Sequence, residues 1–286
     1  MLDILRTTEE FFREREIPAA RLDAELILAD VLNCQRIHLY ANYARPLDRD
    51  EVDEYRELVR QRGQFVPVHY LVGKREFFSL KFRVNRHVLI PRPETEFVVQ
   101  RALDLVKESG KPQVRVSDIG TGCGAIAITI AFEFANVDVH ASDISPEALA
   151  VARENSEALG VSDRVTFYEG DLFAAFGGSS NEKFDFILSN PPYVRTDEFA
   201  DLRPEVAEHE PRVALDGGPD GLQFYRRLVS EAPDYLNDGG YLILEIGAGQ
   251  AESVFNLIRQ IGRFLPPEVA DDYAGIPRGV QAKLND

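Results

Sequence analysis

The sequence predicts an α/β fold for its larger part: a mostly parallel sheet, helices on both faces, and an antiparallel edge. Three observations lead there. From Val114 onward short apolar runs alternate with helical patterns, the mark of consecutive βαβ units. A glycine-rich turn, Gly120-Thr121-Gly122-Cys123-Gly124, joins the first apolar run to the first helix. A proline pair, Asn190-Pro191-Pro192-Tyr193, follows the apolar run Phe184–Ser189, where a buried strand ends and a loop begins.

Taken in order, residues 1 to about 62 read as a small helical bundle. Leu2, Leu5, Phe11 and Phe12 recur at roughly helical spacing among charged residues. Pro18 is expected in the first turn of a second helix, with Leu22, Leu26, Ile27, Leu28, Val31 and Leu32 on its apolar face. A charged third helix is expected over Asp48 to Arg60. From Phe77 to Val84 the pattern alternates in period two, as a half-exposed strand or hairpin does. The prolines of Leu89-Ile90-Pro91-Arg92-Pro93-Glu94-Thr95-Glu96 stiffen a connector, and Glu94 or Thr95 starts the helix that runs from Phe97 to Lys107. Strands are expected at Val114–Asp118, Val137–Ser142, Val165–Tyr168, Phe184–Ser189 and Tyr241–Ile246. Helices are expected at Ala125–Phe134, from Ser145-Pro146 to Leu159, and around Leu222–Tyr235; Ser145-Pro146 is a cap and first-turn pair, and Gly160 a stop. Antiparallel edge strands are expected in 264–286. The organisation is then a helical domain over 1–80, a linker with a β-hairpin over 81–113, and a sheet domain over 114–286.

Composition narrows the class. With 286 residues and 44% hydrophobic content, the chain can bury a sizeable core. The first six residues lack a basic stretch leading into an apolar one, so no secretory leader is expected, and no apolar run is long enough to span a bilayer. Cys34 and Cys123 lie far apart and make no metal-binding spacing, which fits a reduced, cytoplasmic protein without a metal. Net charge is −16, from 32 basic and 48 acidic residues, which disfavours stable binding to nucleic acid through phosphates. It fits a small-molecule ligand or a basic protein partner. A monomer is expected.

The strand ends carry the chemistry. Glycines in the turn after the first strand let backbone approach a ligand closely, with a helix N-terminus behind it. The dinucleotide fingerprint places its glycines first, third and sixth; here they fall first, third and fifth, which disfavours a pyrophosphate cradle. Asp143 ends the second strand, where an acid suits ribose hydroxyls. Asp171 follows the third, where a polar group could meet an adenine edge. The two prolines after Asn190 remove two N–H donors and keep both carbonyls, so the Asn190 side-chain oxygen and the neighbouring carbonyls can converge as acceptors. Such a loop suits a guest with an NH₂ group, and Tyr193 offers a flat face beside it; a rigid turn without a ligand is the plain alternative.

The glycine loop, Asp143, Asp171 and Asn190 to Tyr193 together resemble a class I, Rossmann-like methyltransferase that uses S-adenosylmethionine. A narrower resemblance is to the PrmC/HemK family, over nearly the whole chain. Tyr70-Leu71-Val72-Gly73, Leu89 to Glu96, Glu210 to Leu215, Gly217-Gly218, Asp220-Gly221 and Leu244-Glu245-Ile246-Gly247 with Gln250 carry it. That family methylates the side-chain amide nitrogen of the glutamine in the Gly-Gly-Gln loop of peptide chain release factors. The resemblance implies S-adenosyl-L-methionine as cofactor and S-adenosyl-L-homocysteine as product. It implies that Gly120, Thr121, Gly122, Cys123 and Gly124 wrap the methionine part, Asp143 holds the ribose, and Asp171 and Leu172 border the adenine. Leu172 departs from the family, where an aromatic residue is frequent. Thr95 would close the cofactor pocket. Asn190 and Pro191 would accept from the glutamine NH₂, with Pro192 and Tyr193 completing the substrate side. The helical domain would bind the release factor.

An amide nitrogen is a poor nucleophile because its lone pair is delocalised into the carbonyl. Two acceptors on its NH₂ would orient it and stabilise the charge that develops on nitrogen, so no general base is assigned among His38, His69, His87, His140 and His209. Exocyclic amines of DNA adenine and ribosomal RNA guanine present the same NH₂ group, and an amino-methyltransferase of nucleic acid is the rival reading. A nicotinamide-dependent oxidoreductase and a catalytically silent binding module are the others.

Overall fold

A computed structural model of the chain describes residues 1–177, 183–271 and 275–285; residues 178–182, 272–274 and 286, the last four within the expected edge region, lie outside the described residues. The chain opens with helices α1 (Leu2–Arg13), α2 (Ala20–Val31), α3 (Arg36–Ala41), α4 (Arg49–Arg62) and α5 (Val68–Leu71). Pro18 therefore sits in the turn before α2 rather than inside its first turn. Asp48 caps α4: its side chain accepts from the Glu51 N–H while the Glu51 carboxylate accepts from the Asp48 N–H.

A hairpin follows, β1 (Lys74–Phe77) and β2 (Leu80–Arg83), turning at Phe78 and Ser79 with φ of +50° and +61°. The alternating run is thus two strands, with the turn placed inside it. A short 3₁₀ turn, Pro93–Thr95, leads into α6 (Glu96–Ser109). Then come β3 (Val114–Ile119), α7 (Ala125–Glu133), β4 (Val137–Asp143), α8 (Pro146–Ala158), β5 (Val165–Glu169) and β6 (Phe184–Ser189). After α9 (Pro204–Ala207) the chain forms α10 (Gln223–Tyr235), β7 (Leu236–Glu245), α11 (Ala251–Ile261), β8 (Glu268–Asp271) and β9 (Pro277–Lys283).

Two compact units result. The helical unit comprises Met1–Lys74 with Leu202–His209, so α9 belongs to it. Leu5, Phe12, Ile27, Leu28, Leu39 and Tyr55 form its buried core. Within it the buried Arg62 guanidinium donates to Asp23 and to Glu205, at 2.7 Å each. The second unit comprises Arg75–Asp201 and Glu210–Asp286. The hairpin is fastened there: the Arg83 N–H donates to the Asn155 carboxamide oxygen of α8 at 2.7 Å, and the Asn155 NH₂ returns to the Arg83 carbonyl.

The second unit is built on a seven-stranded sheet in the order β5-β4-β3-β6-β7-β9-β8. The β3–β4, β4–β5, β3–β6 and β6–β7 pairs are parallel. β9 runs antiparallel to both β7 and β8. β6 is buried along its whole length, which is why it reads as an unbroken apolar run. Strand order reverses on either side of β3, so the carboxyl ends of β3 and β6 meet where an open α/β sheet binds its ligand.

Candidate active site

A cleft lies over the carboxyl ends of β3 to β6, where an open α/β sheet binds its ligand. Gly120 and Gly122 form its floor, at φ of +75° and +57°, where a side chain is strained. A Cβ added at either glycine would meet no atom within 4 Å, so the backbone faces open space. Thr121, Cys123 and Gly124 are not among the cleft walls. Thr121 is buried and donates its hydroxyl to Asp118 Oδ2 at 2.7 Å. Burial pushes the Cys123 thiol up to about 12, so it stays protonated. Gly124 begins α7 at φ +84°, and a Cβ there would come within 2.4 Å of Ile128 Cδ1.

Asp143, at the end of β4, lines the cleft. Its Oδ2 accepts from the Gly122 N–H at 2.8 Å and its Oδ1 from the Ser145 N–H at 2.9 Å. Burial raises its pKa from the ordinary carboxylate value, and those two amides pull the other way. Each oxygen keeps a lone pair for a further donor. Asp171 lines the cleft after β5, with its carboxylate 2.9 Å from Arg227. Leu172 lies beside it at φ +51°, a conformation an L residue seldom adopts.

Asn190 and the two prolines form the opposite wall. The Asn190 NH₂ donates to Thr95 Oγ1 at 3.0 Å, and the buried Thr95 hydroxyl donates to Glu245 Oε2 at 2.6 Å. Thr95 therefore touches the cleft through Asn190 and is not itself one of its walls. Asn190 Oδ1 takes no hydrogen bond among the described residues. The loop beyond is pinned: Val194 N–H donates to the Leu215 carbonyl, Gly217 N–H to the Val194 carbonyl, and the Gln250 NH₂ to the Tyr193 carbonyl at 3.0 Å. The Tyr193 ring lies against Gly247, where a Cβ would approach its Cδ2 to 2.9 Å. Tyr193 packs on the core rather than on the cleft, and burial raises its phenol pKa.

Comparison with known proteins fits this geometry. Residues 3–73 match the PrmC N-terminal domain, and residues 101–209 the methyltransferase small domain. A release factor glutamine methyltransferase of Rhodopirellula baltica is 43% identical over 280 residues, covering 97% of this chain and 94% of its own length. The chain belongs to the release factor glutamine methyltransferase family. Members from Geobacter sulfurreducens and Bacillus subtilis are each 41% identical, over 98% and 92% of this chain and 95% and 91% of theirs. Among solved structures, a methyltransferase from Pyrococcus furiosus has a TM-score of 0.52 at 20% identity, covering 73% of this chain and 91% of that one. The hMettl16 catalytic domain, solved with an RNA hairpin, has 0.58 at 16%, covering 80% and 83%. At those identities the likeness is one of fold. It is the α/β class I methyltransferase fold that the resemblance implies, with the mostly parallel sheet that the alternating pattern predicts.

Membership of the release factor glutamine methyltransferase family makes S-adenosyl-L-methionine the cofactor. Sequence reasoning passed over several cleft residues. Ile144 is 54% exposed directly after Asp143, an apolar residue that a globular surface has little reason to show. Phe224 and Val213 line the same cleft. Glu245 is another residue passed over, although a carboxylate inside the apolar run Tyr241–Ile246 is a signal in itself. Glu210 is buried and accepts from Arg92 at 2.7 and 2.8 Å.

Proposed function

We propose that the cleft holds S-adenosyl-L-methionine along Gly120, Gly122, Asp143, Asp171 and Leu172, and that Asn190 and Pro191 receive the glutamine amide. The reaction is methylation of the N5 nitrogen of the glutamine in the Gly-Gly-Gln motif of peptide chain release factors. The observation that carries the site assignment is Asn190: its NH₂ is committed to Thr95, which leaves its oxygen as the arm that meets a guest.

The residues present fit the cofactor. Two glycines with open space before them admit a ligand against the backbone, and a carboxylate held by two amides is ready for a vicinal diol. Bound S-adenosyl-L-methionine supplies a methyl on a sulfonium, electrophilic enough to react without a metal. Asn190 Oδ1 and the Pro191 carbonyl each accept one hydrogen of the substrate NH₂. That fixes the nitrogen in line and stabilises the positive charge growing on it. The pinned Val194 and Tyr193 carbonyls keep this loop from relaxing away. Tyr193 serves as a packing support for the loop.

The helical unit is the part we assign to gripping the release factor; it exposes Leu22, Ile37 and Tyr40. A net charge of −16 supports a protein substrate over nucleic acid. No helix among the described residues is long and apolar enough to cross a membrane; we place the enzyme, as a monomer, in the cytoplasm with its substrate. Incubation with release factor and methyl donor, followed by mass spectrometry, should show one added methyl on the Gly-Gly-Gln glutamine. A methyl found on DNA or ribosomal RNA instead would overturn the substrate assignment.

A further inference from the structure

Glu245 ends β7 with its side chain buried under Thr95, away from the cleft walls. Its position matters because of proton counting along one short chain of hydrogen bonds. The Thr95 hydroxyl has a single proton, and it donates that proton to Glu245 Oε2, 2.6 Å away. Toward Asn190 the Thr95 oxygen can then only accept. Asn190 must turn its NH₂ to it, as observed at 3.0 Å, and its Oδ1 faces the other way. We propose that Glu245 is a positioning residue which, through Thr95, sets the orientation of the Asn190 amide and so presents an acceptor to the substrate NH₂. This deepens, and rests on, the reading of Asn190 as that acceptor.

The same chain has a second proton arrangement. A protonated Glu245 can donate to Thr95, which frees the Thr95 proton for Asn190. The carboxamide then turns over to accept it with Oδ1. Its NH₂ would now point at the substrate NH₂, donor against donor, and the orienting bond is lost. The groups around Glu245 decide when this happens. Glu94 and Arg92 approach from the segment before α6, Arg278 from β9, and Tyr193 from its loop. Tyr225 of α10 donates its hydroxyl to the Glu245 carbonyl at 3.0 Å. Both tyrosines are held neutral by burial. Arg92 is shared with Glu210. Burial is the largest influence and pushes the Glu245 carboxyl up to about 7, against the pull of the Thr95 hydroxyl. The orientation therefore changes over within the physiological range.

The test is single-turnover methyl transfer at saturating S-adenosyl-L-methionine between about pH 6 and 9. Saturation matters because Asp118, also pushed up to about 7 by burial, accepts from Thr121 of the glycine loop and from the Ala127 N–H of α7 behind it, and acts through cofactor affinity. The wild-type rate should fall about tenfold per pH unit below 7. Glu245→Gln, nearly isosteric, should give a flat profile, whatever its height. Thr95→Val should lose about 10²-fold in rate with cofactor affinity retained, and Thr95→Ser should recover most of it. Independently of turnover, the ¹⁵N side-chain signal of Asn190 in the enzyme alone should shift with a midpoint near 7, and not in Glu245→Gln. An acid limb that persists in Glu245→Gln, or a Thr95→Val enzyme at the wild-type rate beside a slow Asn190→Ala, overturns the relay and leaves the acceptor reading intact. An Asn190→Ala enzyme at the wild-type rate overturns the acceptor reading, and the relay with it.

Discussion

At Asp143 the two carboxylate oxygens each hold a backbone amide, from Gly122 and from Ser145. The side chain is therefore fixed before any ligand arrives, and little rotamer freedom is lost on binding. Asp143→Ala should weaken S-adenosyl-L-methionine binding by about 1.5–3 kcal/mol for each charge-assisted bond removed, read by calorimetry. Unchanged affinity in a folded variant would take Asp143 out of the site. Asn190→Ala is expected to behave in the opposite way, with cofactor affinity retained and the rate constant for methyl transfer down about 10²–10³-fold. The types of these residues were legible from the sequence, because strand ends and a proline pair limit what their side chains can do. Their partners were not. Thr95 reads as a helix start, and it does precede α6, yet its hydroxyl makes no cap and goes to Glu245 on a distant strand instead. A hydrogen bond spanning 150 positions leaves no periodic trace.

Elements whose pattern is local were read closely, and those set by tertiary packing less so. Ser145-Pro146 is an example of the first kind: the Ser145 hydroxyl accepts from the Ala148 N–H and Pro146 opens α8. Ser145→Ala should cost about 1 kcal/mol in denaturant unfolding. Helix α11 was not foreseen, although Val254, Leu257, Ile258 and Ile261 recur at helical spacing, and β7 begins at Leu236 rather than Tyr241 because Asp238 and the two glycines hide its start. The loop after β6 shows why position 217 is a glycine. A Cβ at Gly217 would lie 2.7 Å from Tyr193 Cα and 2.9 Å from the Pro192 carbonyl oxygen, both backbone atoms that cannot swing aside. Gly217→Ala should therefore displace the Asn190–Tyr193 loop. Methyl transfer should drop by about 10²-fold while cofactor affinity stays near the wild-type value. Equal rates in the two proteins would show that the loop tolerates the shift.

For the whole molecule, the buried carboxyls of Asp118 and Glu245, both raised to about 7, each make stability depend on pH. Each has a folded pKa above its unfolded one, so the folded chain binds more protons between about pH 4 and 7. Their contribution to stability falls as pH rises through that window, and the full cost is present above 7. Each group costs on the order of 3 kcal/mol there. Melting temperature should be higher at pH 6 than at pH 8 as far as these groups decide it, and Glu245→Gln should narrow the difference. A variant with the same pH dependence as the wild type would show that Glu245 stays charged when buried.

The helical unit has one property that bears on how such an enzyme can be re-engineered. Its chain is discontinuous: Leu202–His209 belongs to it although more than a hundred residues of the other unit intervene. Arg62 is the reason that detour has weight, because its guanidinium holds Asp23 from α2 and Glu205 from the returning segment together. Exchanging the helical unit between relatives by swapping everything before the hairpin would transplant Arg62 and Asp23 but leave Glu205 behind in the recipient. Such a chimaera inherits whatever residue the recipient carries at that place. A mismatch there strands a buried guanidinium with half of its counter-charge, at a cost of several kcal/mol. The transferable cassette is the pair of segments, exchanged together.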